Sequence, residues 1–423
     1  MAPKLPRAAY LALGFVMNLT LGTVYSWSVI STTLTSSTGP YKYGTFDANI
    51  PFAVALAMFS VGMVFSGRLV DRHGPRKVAM IGAVLVGAGY MLSSLFSATP
   101  WPLYFLIATF GGIAGLGIGF AYNPPIATAV RWYPVRKGLA SGVVVMGFGL
   151  SPLLTATVVS WWLIPAFGLS TTLLLLGAVY LVVLLVCASF LQFPEPGWQP
   201  PDKIVAAAGK RTWKPEAELA PREVVRTASF WGAWVLYALG TAGGFMAIGN
   251  AGNIAKEIGH VPTGLLVIPV VILAIFNSSG RPLFGRVGDV LTPKRALLIM
   301  YTVLLAGMGI LSIANSDILV YAGIALTGLV FGGFLAVMPA LSTLFFGSKN
   351  QAANYGMLFT GYGLGAVVAL FVGALVRAET GSYLYAFYLS AFLAIVGIVL
   401  SLSVRPPKPV AAKVELPSAV PAP

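Results

Sequence analysis

Twelve runs of apolar residues, each about as long as a lipid bilayer is thick, leave this chain one medium in which to fold. They lie near 9–33, 47–69, 77–97, 101–127, 138–164, 169–192, 228–254, 263–285, 295–315, 317–345, 352–376 and 382–404, with Pro, Gly and charged residues between them. A helix needs about 20 residues to cross the hydrocarbon core. Inside that core every backbone N–H and C=O must be satisfied within the protein, which restricts spanning segments to helices and closed barrels. The runs are continuously apolar and lack the alternation of barrel strands, so they predict helices. Of 423 residues, 57% are hydrophobic and 9% charged, against about 25% charged in a soluble domain. So few charges could not cover a surface in water. The expected fold is an all-α membrane protein with twelve transmembrane helices.

Charge then orients the chain. With the N-terminus inside, 22 of the 26 Lys and Arg fall in inner segments, and three, Lys42, Lys256 and Arg377, fall outside. This bias is the positive-inside pattern. It accounts for the net charge of +14 without nucleic acid. The expectation is a multi-pass protein of the inner (plasma) membrane with both termini cytoplasmic, acting as a monomer with the bilayer as its partner. The start, MAPKLPRAAYLALGFVMN, is basic and then apolar but shows no small-x-small cleavage site, so it reads as a retained first helix. The one long polar stretch, 193–227, reads as a cytoplasmic linker between 1–192 and 228–404, and Pro-rich 405–423 as a disordered tail. Cys187 lies in an apolar run as a packing residue, which excludes an internal disulfide. No nucleotide-binding loop, zinc motif or catalytic triad appears. Neither an enzyme nor a cofactor or metal is expected.

The chain also repeats itself. SGRLVDRHGPRK at 66–77 follows the second run, and FGRVGDVLTPKR at 284–295 follows the eighth. Gly67 matches Gly285, Asp71 matches Asp289 and Arg76 matches Lys294, all by one common offset. GFGL at 147–150 matches GYGL at 361–364 by a slightly shorter one. Two parallel six-helix units are the pattern of a transporter, with its site near the midplane between them.

One charge does not fit the topology. Arg281, in FNSSGRPLFGRVGD, lies within the eighth run, one turn or more before Arg286 reaches the inner face. A guanidinium at the centre of a span costs roughly 2.5–3.5 kcal/mol or more unless paired or hydrated. All 12 acidic residues lie in loops or at the ends of runs, so none stands at depth to pair with it. The expectation is a water-filled cavity that receives an anion, with the substrate as the missing partner. Asn277 sits one turn earlier on the same helix face. Asn18, Asn123, Asn250 and Asn253 read as polar glue between helices.

The run Gly67-Arg68-Leu69-Val70-Asp71-Arg72-His73-Gly74-Pro75-Arg76-Lys77, with its degenerate second copy, resembles the loop motif of the major facilitator superfamily over nearly the whole chain. That resemblance implies a gate at the inner face built on Gly67, Asp71, Arg72, Arg76 and Asp289. Narrower features resemble the oxalate:formate antiporter and monocarboxylate transporter branch. They are Tyr25-Ser26-Trp27, Arg131-Trp132-Tyr133-Pro134, Lys137-Gly138-Leu139-Ala140-Ser141-Gly142, Arg281-Pro282 and Asn354-Tyr355-Gly356. The resemblance implies that Arg281 holds a substrate carboxylate inside an aromatic box, which local alignment carries onto Tyr25, Tyr122, Phe148, Phe331 and Phe359. The oxalate carrier has a second cation, a lysine, where this chain has Tyr362. The monocarboxylate transporters have an aspartate where this chain has Asn277, and a lysine in the first span where this chain has none.

A dicarboxylate held in a dry site needs a second cation to offset its second charge. The expected function is therefore transport of a small monocarboxylate anion of the lactate, pyruvate, formate or acetate type by alternating access, as proton symport or anion exchange. The expected site is Arg281, Asn277, Tyr122, Tyr25, Tyr362, Phe331, Phe359 and Phe148. Oxalate:formate exchange, efflux of drugs or metabolites and a non-transporting membrane sensor are the other readings.

Overall fold

The computed structural model describes residues 5–407 apart from 38, 196, 201–217, 249–250, 263–264 and 266. Most of the expected linker, most of the tail, Asn250 and the side chain of Asn253 thus lie outside the described residues. Among those described, all regular structure is helical. Helix α1 spans Arg7–Thr35 and tightens into a 3₁₀ turn at Gly22–Ser26. Then come α2 (Thr45–His73), α3 (Pro75–Ala98) and α4 (Pro102–Trp132). The next helical stretch, Lys137–Phe190, is 54 residues long, or about 80 Å at 1.5 Å per residue, too long for one crossing. It turns at Gly168, whose φ of 73° lies where glycine is favoured, so it supplies two spans. These are α5, which begins as Lys137–Val158, and α6, over 169–190. The second six are α7 (Ala228–Ile248), α8 (Val267–Val290), α9 (Pro293–Ile313), α10 (Asp317–Phe346), α11 (Gln351–Thr380) and α12 (Leu384–Ser403).

Each expected run has its helix, and several helices outrun their apolar stretch. Helix α2 continues to His73 and α8 to Val290, through the charged residues at which the sequence reading ends those spans. Apolarity marks the hydrocarbon. The backbone hydrogen-bond ladder stops only where a residue such as Gly74, at φ 83°, turns the chain.

The packing follows the sequence repeat. In the first six helices α2 packs on α4, α3 on α4 and α6, and α1 on α5. The second six reproduce this with α8 on α10, α9 on α10 and α12, and α7 on α11. The two sets meet through α5 with α8 and α2 with α11, and these contacts obey the offsets seen in the sequence. A Cβ on Gly142 would collide with the carbonyl of Arg281, and one on Gly356 with that of Met63. Gly142 and Gly356 are related by the offset that carries GFGL onto GYGL, and Met63 and Arg281 by the one that carries Asp71 onto Asp289. Asn123 adds a bond across the same boundary, donating from Nδ2 to Ala352 O at 3.1 Å. Asn18 instead bonds within its own helix, to Gly14 O at 2.9 Å.

The exterior suits lipid. Large apolar side chains point outward from most helices, and Trp101, Tyr104, Trp161 and Trp162 stand exposed at the ends of α4 and α5 away from the basic loops. Aromatic residues favour that interfacial depth.

Candidate functional site

Among the described residues Arg281 is the one Lys, Arg, Asp or Glu that is fully buried, at 0% exposure. Helix α8 presents it to α5. Its Nη1 donates to the carbonyl of Val145, and its Nη2 to Asn277 Oδ1 at 3.4 Å. Its Nε finds no acceptor. The guanidinium carbon lies 5.8 Å from the centre of the Phe148 ring. Gly149 makes room for the fork, since a Cβ there would stand 3.0 Å from Nε and 3.1 Å from Ser278 Oγ. No carboxylate pairs with Arg281 among the described residues. A guanidinium has five donors and accepts nothing, so this one is short of acceptors.

The expected water-filled cavity is not what surrounds it. The site is closed, and protein acceptors and aromatic rings take the space that the sequence reading gave to water. Apolar composition can be read residue by residue. Whether rings from several helices pack into contact depends on how those helices tilt together.

The expected residues nevertheless converge. Tyr25, in the 3₁₀ turn of α1, shares a hydroxyl–hydroxyl bond with Tyr362 of α11. Its ring meets Phe148 edge-on at 5.1 Å. Tyr122 lies 5.3 Å from Phe148 and 5.6 Å from Phe359, and its buried hydroxyl makes no hydrogen bond of ordinary geometry. Phe359 stacks on Tyr362 at 4.5 Å. Phe331 of α10 joins through Phe245, at 4.9 Å.

Four residues complete the cluster that the sequence reading did not select. Phe59 of α2 touches Tyr122, Phe148, Phe359 and Tyr362. Phe245 and Tyr237 enter from α7, and Tyr355 from α11. The repeat carried a signal for Phe59, because the offset that relates Asp71 to Asp289 places Phe59 opposite Asn277. Phe245 and Tyr237 had no motif to mark them in an aromatic-rich helix.

At the basic end of the bundle two carboxylates join the two helix sets. Asp71, at the end of α2, accepts from Ala353 N at the start of α11 and from Arg131 Nη2, both at 2.8 Å. Asp289, at the end of α8, accepts from Gly138 N and Leu139 N at the start of α5, both at 2.8 Å. Each acid sits on the unsatisfied N–H groups of a helix from the other set, where negative charge is favoured. Gly67 lies against Ala352 in the same contact. Arg72 is exposed and Arg76 half-buried, and neither hydrogen-bonds to these acids among the described residues. The cation on Asp71 is Arg131, whose role could not be chosen from sequence among the many basic residues of the inner loops.

A doubled helical bundle with one buried cation between its halves defines a polytopic membrane carrier. The chain belongs to the Major Facilitator Superfamily, whose family model matches it over residues 11–318 and 270–421, and it is a transporter, not an enzyme. It is 28% identical over 358 residues to the MFS-type transporter YhjX of Escherichia coli (strain K12), covering 83% of this chain and 84% of that one. It is 26% identical over 404 residues to the oxalate:formate antiporter of Oxalobacter formigenes, covering 95% and 92% respectively. Monocarboxylate transporter 10 of Rattus norvegicus matches at 26% identity, over 83% of this chain and 69% of its own length. Among solved structures, the transporter FucP in the outward conformation superposes with a TM-score of 0.69 at 12% identity, covering 93% of this chain and 98% of that chain. That likeness concerns the fold.

Proposed function

We propose that this transporter carries small monocarboxylates, of the lactate, pyruvate, formate or acetate type, and that Arg281 holds the carboxylate. The observation that carries the reading is a buried guanidinium with an orphan Nε and, among the described residues, no acidic partner, between two helix sets. A carboxylate would replace the weak acceptors with two parallel charge-assisted bonds. The aromatic walls leave little room for a large substrate, and Asn277 and the Tyr122 hydroxyl offer polar contacts to a hydroxyl or keto group. The names of two relatives, the oxalate:formate antiporter and monocarboxylate transporter 10, support the anion class.

The proposed cycle is alternating access, by proton symport or anion exchange. The helices of 1–192 and 228–404 rock about the site, with the basic end at the cytoplasm. Pairing Arg281 with an anion lowers the cost of burying it during closure. The test is a competition panel of mono- and dicarboxylates in proteoliposomes, with and without an imposed pH gradient. Stronger competition by oxalate than by lactate would favour the second reading, oxalate:formate exchange.

Tyr362→Lys tests the choice of one charge over two. A second cation opposite Arg281 adds a charge-assisted bond worth about 1.5–3 kcal/mol to a dicarboxylate, so oxalate competition should improve by roughly tenfold or more relative to lactate. An unchanged ratio in a folded variant would remove Tyr362 from the specificity argument.

Asp71→Asn and Asp289→Asn test whether these two carboxylates lock the basic end. Each removes the charge from bonds to helix N-termini, costing the closed basic end about 1.5–3 kcal/mol. Spin labels at positions 77 and 349, both exposed and on opposite sets, should move to longer separations. An unaltered distance distribution in both variants would count against a gate at this end.

A further inference from the structure

The basic end holds a largely apolar cavity, rimmed by two arginines, that the transport site does not use. It lies between the start of α1 and the turn into α5, with a volume of about 150 Å³. Arg7, Tyr133 and Arg136 line it beside an apolar floor of Leu11, Leu139 and Val143. The Arg7 guanidinium is seated 4.8 Å over the Tyr133 ring. Among the described residues neither arginine forms an ion pair. The acid facing Arg136 is Asp289, and both of its oxygens already accept from Gly138 N and Leu139 N. The floor residues are half-exposed, and the strip continues along α5 through Met146 and Leu150, also half-exposed.

Two cations over an apolar floor that runs into the membrane match an amphiphile. A soluble anion would gain only from the two arginines. A lipid also gains from its acyl chain, and basic residues near an anionic membrane surface add electrostatic attraction to it. We infer that this cavity binds an anionic phospholipid, with the headgroup phosphate between Arg7 and Arg136 and one acyl chain along α5. Its place gives it a consequence for the gate. Arg136 directly precedes Lys137, Gly138 and Leu139, whose last two amides Asp289 holds, so a bound headgroup steadies the turn that presents α5 to that carboxylate.

The full-length protein in neutral detergent tests this, titrated with phosphatidylglycerol, with phosphatidylcholine of the same chains, and with inorganic phosphate. Native mass spectrometry reads bound lipid and a melting curve reads stability. Phosphatidylglycerol should be retained about tenfold or more over phosphatidylcholine, as two surface cations predict, and should raise the melting temperature. The Arg7→Gln/Arg136→Gln variant should lose that preference. A Lys77→Gln/Arg295→Gln variant, which removes equal charge from exposed positions elsewhere on the basic end, should keep it. Val143→Trp, which fills the floor and spares both arginines, should lower retention of phosphatidylglycerol. The assignment is overturned if the preference survives Arg7→Gln/Arg136→Gln, or if the Lys77/Arg295 variant loses it equally. It is likewise overturned if inorganic phosphate stabilises the protein as well as the lipid does, which would mark a soluble-anion site.

Discussion

Arg281→Lys should abolish saturable lactate or pyruvate uptake in proteoliposomes, by about two orders of magnitude or more, while the protein still folds. Truncating one partner of a buried, hydrogen-bonded charge pair typically costs about 2–5 kcal/mol, and each 1.4 kcal/mol is about tenfold. Lysine keeps the charge but not the planar fork that grips a carboxylate with two parallel bonds. It would also leave the Val145 carbonyl and Asn277 Oδ1 without the paired donors they now share. Arg281→Gln separates function from fold from the other side. Arg281 is buried, short of acceptors and, among the described residues, without an acidic partner, so removing its charge should hold or raise the melting temperature in detergent while uptake is lost. A residue retained against stability is one retained for work. Normal uptake by either variant would end the assignment of the carboxylate to this residue.

Much of this architecture can be read before any coordinates, because the bilayer imposes it. Twelve apolar runs become twelve helices, since only helices and closed barrels satisfy the backbone in lipid and these runs lack the alternation of barrel strands. The two offsets of the internal repeat predict which contacts between the sets are equivalent, and the glycine contacts of Gly142 with Arg281 and Gly356 with Met63 obey them. Arg281 stands out because it is a charge where charge is costly, so its signal is chemical and local. The aromatic cluster is only half visible. A phenylalanine in a lipid-spanning helix looks the same whether it faces lipid, core or substrate, and Phe59 and Phe245 are told apart from Phe65 and Phe371 only by helix rotation. The Asp71–Arg131 pair was hidden for a related reason, since two helix ends 60 residues apart meet only after α2 and α4 have packed. The closed state of the site was the least legible feature, because it belongs to one arrangement of helices that the same sequence must also be able to leave.

The most damaging small substitution should be Gly332→Ala. Helices α8 and α10 approach backbone to backbone beside the site. A Cβ on Gly332 would collide with the carbonyl of Asn277, and a Cβ on Gly280 would collide with that of Leu329. The contact is reciprocal, each glycine lying just under one turn from the carbonyl its own helix offers, which is how small residues let helices close in a medium that provides no hydrophobic push between them. Adding one methyl at Gly332 cannot be absorbed by a rotamer change, because the atom it meets is backbone. The helices must separate, at or beyond the roughly 1–3 kcal/mol that overpacking costs. The residue displaced is Asn277, and Arg281 follows one turn later on the same helix, so a loss of about tenfold or more in uptake should accompany the lower melting temperature. Gly309→Ala is the matched control. It adds the same methyl to a neighbouring helix, α9, where a Cβ would have no atom within 4 Å. It should leave both readouts within about 1 kcal/mol of the parent or slightly improved, since alanine favours a helix over glycine. If Gly332→Ala and Gly309→Ala melt and transport alike, close approach of α8 and α10 does not hold the site together.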